Sequence, residues 1–331
     1  MTIPETLEEA TSTAWLSEVL GADVVTVTVG EVDNRISTNA PVHVELADGT
    51  TRELWVKGYF NEAGRPYRSA GVPEAGFYRD LAATTGMRTL RAVFADADES
   101  TEANVIVTED VLSQGARFLD SLSDFTVDQA AASLDELARL HASTWMQGDA
   151  RWLDSRLEVY TQRRGVADIA GNFDGPIGAR VPERVRHASR LYDAYKIVAA
   201  EAASAVPWCV IHGDPHIGNV YLDAAGRPSF LDWQLVQRGP WYLDVGYHLA
   251  SALTVADRRR SEDDLVRHYL DTLRAGGVDV AYGDDVWRGL RRGFVHGFFL
   301  WGITLKVKPE KTTALLERLG TAVDDHDAFA L

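Results

Sequence analysis

The sequence predicts an α+β protein in which a small antiparallel sheet with one helix comes first and a larger, mainly helical part follows. Apolar and polar residues alternate in three short runs that are typical of strands, at residues 24–29, 42–46 and 52–57. Asp48-Gly49 supplies a tight turn between the last two runs. Beyond residue 126 the apolar residues recur mostly at helical spacing. Strands and helices are therefore expected in separate parts of the chain, which is typical of the α+β class.

The remaining elements follow from local signals. Pro73 opens a helix whose apolar residues recur at helical spacing, and residues 104–110 form another strand before a polar connector. Long helices are predicted near residues 127–146, 182–205, 262–275 and 284–304. Short strands interrupt this helical part only between residues 210 and 244. We expect two domains, 1–110 and 111–331.

Charge and cysteine content exclude several classes of protein. The chain of 331 residues has a formal net charge of −16, which argues against a nucleic-acid partner or an anionic membrane. Cys209 is the only cysteine, so no intramolecular disulfide can form, as is typical of a reducing compartment. The N-terminal segment has neither a basic start nor a long apolar stretch, which predicts no signal peptide. We expect a cytoplasmic protein.

The segment between residues 210 and 244 concentrates the polar residues that a reaction requires. H-G-D at 212–214 is followed five positions later by Asn219, and an apolar run then ends at Asp232. A loop aspartate can accept the proton of a hydroxyl group, while an amide oxygen and a second carboxylate can hold the magnesium ion that bridges nucleotide phosphates. The segment predicts a phosphoryl-transfer site, and the alternative is a polar turn between two strands.

The motifs HGDPHIGN and LDWQ resemble the signature of the aminoglycoside phosphotransferase and choline kinase-like enzymes, relatives of the protein kinases. The resemblance covers nearly the whole chain and implies the protein kinase-like two-lobed fold, with a small sheet lobe and a larger helical lobe. It implies that Asp214 is the catalytic base and that Asn219 and Asp232 bind Mg²⁺. His212 could act as a base near neutral pH, but the resemblance favours a role in ordering the loop.

The resemblance also assigns residues outside the motif. Lys57 matches the lysine that reaches the α and β phosphates of the nucleotide, and Glu74 matches the helix glutamate that pairs with it. Glu109 and Asp110 fall where the family joins its lobes and where its backbone binds the adenine edge. Asp244 matches an aspartate that supports the catalytic loop from behind, although a helix cap would explain it equally well.

Three features distinguish the chain from protein kinases and P-loop kinases. Only Gly30 lies between the first two strands, where protein kinases have a glycine-rich loop, so the choice between ATP and GTP stays open. No A-P-E sequence follows Asp232, which disfavours a protein substrate. The chain has no G-x-x-x-x-G-K-[ST] motif, which excludes a P-loop kinase.

Together these observations predict an ATP- or GTP-dependent O-phosphotransferase that acts on a small hydroxylated molecule. Acceptors of aminoglycoside or amino-sugar, sugar and amino-alcohol type all fit, because the motifs concern the nucleotide and the metal. The alternative is a catalytically silent protein that binds nucleotide or a metabolite as a sensor or scaffold. The complete set of Lys57, Asp214, Asn219 and Asp232 argues against it.

Several further residues are predicted to be structural. His216 is expected to face solvent, with an approach to the acceptor or the metal as the alternative. Residues 258–260 are expected to form a solvated arginine-rich helix end rather than an anion site. The DDHD sequence near the C-terminus predicts a flexible acidic tail. Gly293, Gly297 and Gly302 predict close packing of a buried helix.

Overall fold

The computed structural model describes residues 1–147 and 151–331. The chain divides into two compact units. The first comprises residues 1–117 with two later segments, 223–225 and 231–236. The second comprises residues 118–222, 226–230 and 237–331. The domain boundary expected after residue 110 stays a prediction.

The first unit is built on an antiparallel sheet. Its strands are β1 (Val24–Val29), β2 (Asp33–Asn34), β3 (Thr38–Leu46), β4 (Thr51–Gly58), β5 (Ala92–Ala97) and β6 (Asn104–Glu109), in the order β1-β3-β4-β6-β5, with β2 paired to β3. Its helices are α1 (Leu7–Ala10), α2 (Thr13–Leu20) and α3 (Gly71–Gly76), the last continued by a π-helical turn, Phe77–Leu81. The four predicted strands are confirmed. The edge strand β5 was not predicted, because its sequence AVFADA has no regular alternation.

Alternation along β4 decides which way the side chain of Lys57 points. Leu54 and Val56 are buried in the core of the sheet, together with Val42 and Val44 of the neighbouring strand β3. Successive side chains of a strand point to opposite faces. Lys57, the residue after Val56, therefore projects from the face opposite to this core.

The second unit is mainly helical. Its helices are α4 (Val127–Ser143), α5 (Leu157–Arg163), α6 (Val166–Phe173), α7 (Ala188–Ala203), α8 (Tyr242–Ala252), α9 (Val255–Ala275), α10 (Asp284–Gly302) and α11 (Pro309–Asp325). β7 (Arg117–Phe118) lies at the unit boundary, and two antiparallel pairs follow: β8 (Cys209–Ile211) with β11 (Gln237–Gly239), and β9 (Val220–Leu222) with β10 (Pro228–Phe230). The four predicted long helices are confirmed, with shifted ends. In the described part of the chain, no helix is both long and apolar enough to span a bilayer.

Helices α8 and α10 pack closely because glycines of α10 face α8. A Cβ atom at Gly293 would lie 2.3 Å from the carbonyl oxygen of Tyr242, and one at Gly297 would lie 2.3 Å from Cδ2 of the Tyr247 ring. Neither position has room for a side chain. The close packing predicted for this buried helix is confirmed at both glycines.

Asp324 and Asp325 belong to the packed helix α11, so the predicted flexible tail is wrong. The predicted solvated arginine run is confirmed for Arg259 and Arg260, which are exposed near the start of α9, and is wrong for Arg258. Arg258 is only 1% exposed and forms ion pairs with Glu262 and Asp325. Arg259 also pairs with Asp325, at 2.8 Å. Helix α9 begins at Val255, and its first turns face α11. A charge pattern within one segment cannot reveal a partner 67 residues away.

Candidate active site

Lys57, Glu74 and Asp232 meet in the first unit. Nζ of Lys57 lies 2.9 Å from Oε1 and 2.8 Å from Oε2 of Glu74, and 2.8 Å from Oδ1 of Asp232. Glu74 is 2% exposed, and its Oε1 also accepts the backbone N–H of Trp233 at 3.1 Å. One ammonium group is therefore shared between two carboxylates, of which Glu74 is the more deeply buried.

The charges of this cluster keep Lys57 protonated. Burial alone would lower the pKa of Lys57, but the carboxylates of Asp232 and Glu74 outweigh it and hold the pKa well above its ordinary value. Burial raises the pKa of Glu74, and the charge of Asp232 adds to this effect against the opposing charge of Lys57. Lys57 is thus a permanent cation, which is the kind of group that binds phosphate oxygens.

Asp232 has a strained backbone conformation that the packing of Trp233 stabilises. Its φ of 65° lies in the left-handed region, which costs a residue other than glycine about 1–2 kcal/mol and which aspartate tolerates better than most. The ring of Trp233 stacks on Phe77 with 3.7 Å between centroids, and its indole N–H donates to Oγ1 of Thr89 at 2.9 Å. Packing of Trp233 therefore holds Asp232 in a conformation that presents its carboxylate to Lys57.

In the second unit, the H-G-D sequence forms a tight loop directly after β8. Gly213 has a φ of 80°, which glycine adopts without steric cost. Oδ1 of Asp214 accepts a hydrogen bond from the hydroxyl group of Tyr247 at 2.8 Å, and Oδ2 lies 3.3 Å from Nδ2 of Asn219. The Asp214 side chain remains 15% exposed. Its carboxylate is therefore oriented by two donors and still reaches the surface.

Asn219 and Asp232 have the donor atoms that a magnesium ion requires. Nδ2 of Asn219 donates to the backbone oxygen of Asp214 at 2.8 Å, which leaves the amide oxygen Oδ1 to act as a ligand. Carboxylate and amide oxygens are the ligands that Mg²⁺ prefers. Over the described ranges, no group of three or more His, Cys, Asp or Glu residues could hold a metal ion. Each of the two residues suits a magnesium ion that completes its coordination with phosphate and water oxygens.

Asp244 lies behind the loop and binds its backbone. Its Oδ2 accepts the N–H of His212 at 2.6 Å, and its Oδ1 accepts the N–H of Gly213 at 2.9 Å. Burial alone would raise the pKa of Asp244, but the hydrogen bond and charge of His141, helped by the His212 ring and the N–H group of Gly213, hold it below its ordinary value. The side chain does not cap α8. Asp244 is therefore an ionised support for two consecutive loop residues.

The two histidines of the loop are oriented by backbone groups. The His212 ring is fully buried, and its Nδ1 accepts the N–H of Asp214 at 3.3 Å, so the ring orders the loop. His216 accepts the N–H of Gly218 at Nδ1, so a neutral ring carries its proton at Nε2, 3.7 Å from Oδ2 of Asp214. The His216 side chain is 14% exposed. The prediction that His216 faces solvent is therefore wrong.

Sequence reasoning did not assign three residues that hold this loop. His248 donates from Nδ1 to the carbonyl oxygen of Pro215 at 2.7 Å, and His296 of α10 donates to another loop carbonyl at 2.9 Å. Tyr247 donates to the Asp214 carboxylate, as described above. The available signal was spacing: Asp244, Tyr247 and His248 stand at i, i+3 and i+4, and such residues share one helix face.

Glu109 is the last residue of β6 and Asp110 follows it, and both are engaged in structural contacts. The Glu109 carboxylate lies 3.5 Å from Arg52 and 3.4 Å from Arg91. Oδ1 of Asp110 accepts the indole N–H of Trp55 at 2.9 Å. The backbone N–H groups of both residues already bond to carbonyl oxygens of the same unit. An adenine edge could use carbonyl oxygens here, but it would need a donor from another residue.

His248 leads to a prediction about the pH dependence of stability. Burial lowers the pKa of His248 to about 4, against the opposing effect of its bond to Pro215. In the unfolded chain a histidine titrates near pH 6.5, so between about pH 6.5 and 4 the unfolded chain binds a proton that the native protein does not. We expect the free energy of unfolding to fall through this window by about 1.4 kcal/mol per pH unit from this residue.

Urea denaturation at about pH 7.5 and about pH 5 measures this effect. His248→Gln should lose less stability than the wild type between the two values. His187→Gln, which changes an exposed histidine of the same unit, should behave like the wild type. An equal loss in the wild type and His248→Gln would contradict the prediction.

Comparison with known proteins identifies the family of the chain. A model of the phosphotransferase enzyme family matches residues 40–278. The chain belongs to this family. The predicted class of enzyme, a phosphotransferase of the small-molecule kinase type, is confirmed.

This chain is similar to several solved structures over most of their length. The macrolide 2'-phosphotransferase of Brachybacterium faecium has a TM-score of 0.50 and 15% identity, over 90% of this chain and 92% of its own. An aminoglycoside phosphotransferase of Streptomyces rimosus has a TM-score of 0.49 and 15% identity, over 86% and 98%. The choline kinase of Streptococcus pneumoniae has a TM-score of 0.49 and 14% identity, over 95% and 97%. At 15% identity, the similarity to the macrolide phosphotransferase concerns the fold alone. It supports the predicted protein kinase-like α+β fold. No curated sequence matches the chain.

Proposed function

We propose that the protein transfers the γ-phosphate of ATP or GTP to a hydroxyl group of a small molecule, with Mg²⁺ as cofactor. The observation that carries the proposal is the Asp214 carboxylate, which Tyr247 and Asn219 orient while 15% of the side chain stays exposed. A carboxylate held in this way can orient an incoming hydroxyl and accept its proton as phosphate is transferred.

The other residues bind and orient the reactants in this proposal. Lys57, positioned by Glu74, binds the nucleotide phosphates, since its ammonium is kept charged by two carboxylates. Asn219 and Asp232 would hold the magnesium ion, which when bound neutralises charge on the phosphate oxygens. Asp244 keeps the loop in place through its two backbone hydrogen bonds.

The acceptor is proposed at the level of chemical class. Amino sugars of the aminoglycoside type, sugars and amino alcohols are the candidates, because a carboxylate base requires only a hydroxyl group from its acceptor. The similar structures are named for a macrolide, an aminoglycoside and choline, so one fold serves acceptors of different polarity. Use of ATP or GTP, together with a single buried cysteine, favours a cytoplasmic location.

The test is nucleotide consumption with Mg-ATP and Mg-GTP across a panel of amino sugars, sugars, amino alcohols and sterol-like alcohols. We expect turnover that depends on the acceptor and stops when a chelator removes the metal. Magnesium-dependent nucleotide binding without turnover on any acceptor would instead favour a nucleotide-binding sensor.

Asp232→Asn should weaken magnesium-dependent nucleotide binding by about 10- to 100-fold, because the change removes a proposed metal ligand. It also removes an anionic partner of Lys57. Calorimetric titration with nucleotide, with and without Mg²⁺, measures the effect. Asp23→Asn, at an exposed position of the same unit, is the matched control. If magnesium strengthens binding equally in Asp232→Asn and the control, Asp232 is not a ligand.

A further inference from the structure

Tyr247 places its hydroxyl against the proposed catalytic base. Its oxygen lies 2.8 Å from Oδ1 of Asp214, and its side chain has no exposed surface. In the described part of the chain, Oδ1 receives its side-chain hydrogen bond from Tyr247 alone. We infer that Tyr247 is a positioning residue, which holds the Asp214 carboxylate in the orientation that takes the proton of the acceptor. This inference rests on the proposed function and adds a residue that the family resemblance did not assign.

The direction of this hydrogen bond follows from the two groups that form it. A carboxylate oxygen can only accept, so the Tyr247 hydroxyl donates its proton to Oδ1 of Asp214. Burial raises the pKa of Tyr247 well above its ordinary value, and the charge of Asp214 adds to it. Tyr247 thus remains a protonated donor at neutral pH.

Packing, rather than Asp214, fixes the position of the Tyr247 ring. The ring occupies the space left by Gly297, where a Cβ would lie 2.3 Å from Cδ2 of Tyr247. It also meets the His296 ring edge-on, with 5.7 Å between centroids. A donor that is held by packing is already in place before the reaction begins, and such preorganised contacts contribute to catalysis without a reorganisation cost.

Other ionisable groups near Asp214 do not replace this contact. His216 lies on the side of Oδ2, at 3.7 Å. Burial raises the pKa of Tyr160 of α5 to about 12, so this hydroxyl stays neutral. Burial lowers the pKa of His296 of α10, so its ring is neutral near pH 7. Tyr247 is therefore the group whose loss should change the behaviour of Asp214.

Tyr247→Phe removes this donor and keeps the ring. With an acceptor found in the panel, we expect kcat to fall by about 10- to 100-fold, since a hydrogen bond to a charged group is lost, while KM for the nucleotide is unchanged. The acid side of the kcat/KM profile should move to higher pH by about one unit, because the charged carboxylate has lost a donor. Tyr192→Phe is the matched control: it removes a hydroxyl that donates to the carbonyl oxygen of Thr161 at 3.1 Å.

A second readout needs no acceptor. The ¹³C carboxyl signal of Asp214, assigned with Asp214→Asn, can be titrated in the wild type, Tyr247→Phe and Tyr192→Phe. We expect the titration to move to higher pH in Tyr247→Phe only. If Tyr247→Phe does not fold, Gly297→Ala should give a shift in the same direction, because its added Cβ would lie 2.3 Å from Cδ2 of Tyr247 and displace the ring that carries the donor.

The outcomes separate the two proposals. An unshifted Asp214 titration in folded Tyr247→Phe, or in Gly297→Ala where Tyr247→Phe does not fold, would overturn the inference whatever the panel shows. A parallel loss of kcat and rise of KM, without any shift of the pH profile, would also overturn it, since that result indicates general structural damage. A shifted titration without turnover on any acceptor would support the contact and overturn the proposed function.

Discussion

Asp214→Asn is expected to abolish phosphoryl transfer, with kcat lowered by about 10²- to 10⁴-fold, while nucleotide still binds. An asparagine has nearly the shape of aspartate but cannot take the proton of the acceptor hydroxyl. Steady-state turnover and calorimetric nucleotide titration measure the two effects separately. Asp193→Asn, at an exposed position of α7, is the matched control in the same unit. Equal turnover in the wild type and Asp214→Asn would exclude Asp214 as the base.

The same variant should fold, with a small loss of stability. Its new side-chain amide would face two donors, the Tyr247 hydroxyl and Nδ2 of Asn219, where the carboxylate of Asp214 accepts from both. An amide has only one acceptor oxygen, so one of the two hydrogen bonds is lost, at about 1 kcal/mol. A larger loss of activity than of stability therefore identifies a chemical role.

Lys57→Met is expected to lower both nucleotide affinity and the stability of the first unit. The change leaves the carboxylates of Glu74 and Asp232 without their shared cation, and Glu74 is only 2% exposed. Removing one partner of a buried ion pair costs about 3–5 kcal/mol. We expect Lys57→Met to lower the free energy of unfolding by about 3 kcal/mol, the lower end of that range, because the Lys57 side chain is 19% exposed and partly screened.

Glu74 gives this prediction a pH dependence. Its pKa is already raised by burial, and without Lys57 it should rise further, so the carboxyl binds a proton more readily in the native variant than in the unfolded chain. The destabilisation by Lys57→Met should therefore shrink as pH falls below the range in which Glu74 is ionised. Urea denaturation at several pH values measures it, with Lys306→Met as an exposed control. A stability loss in Lys57→Met no greater than in this control would show that the ion pair contributes nothing.

A double variant separates the charge effect from the packing effect. Lys57→Met combined with Glu74→Gln removes the unpaired buried charge and keeps the size of the side chain. If charge is the cause, the double variant should be more stable than Lys57→Met alone. Nucleotide affinity should stay low in both, because neither has the cation that binds phosphate.

The amino-acid sequence by itself determined the features that depend on local spacing. Alternation over residues 24–29 predicts the strand that is observed at Val24–Val29, and helical periodicity predicts α10 from Asp284. The H-G-D-x-x-x-x-N spacing predicts a loop in which Asp214 and Asn219 lie close together, and Nδ2 of Asn219 is 3.3 Å from Oδ2 of Asp214. In each case the partners are near in the chain, so backbone geometry alone brings them together.

Only the tertiary structure decided which distant side chains meet. Tyr247 and Asp214 are 33 residues apart, and Arg258 and Asp325 are 67 apart. No local pattern distinguishes such pairs from solvated residues, because the free energy that joins them comes from the packing of whole helices. The Tyr247 hydroxyl reaches Asp214 because Gly297 on another helix leaves room for its ring, and this fit between two helices exists only in the folded chain.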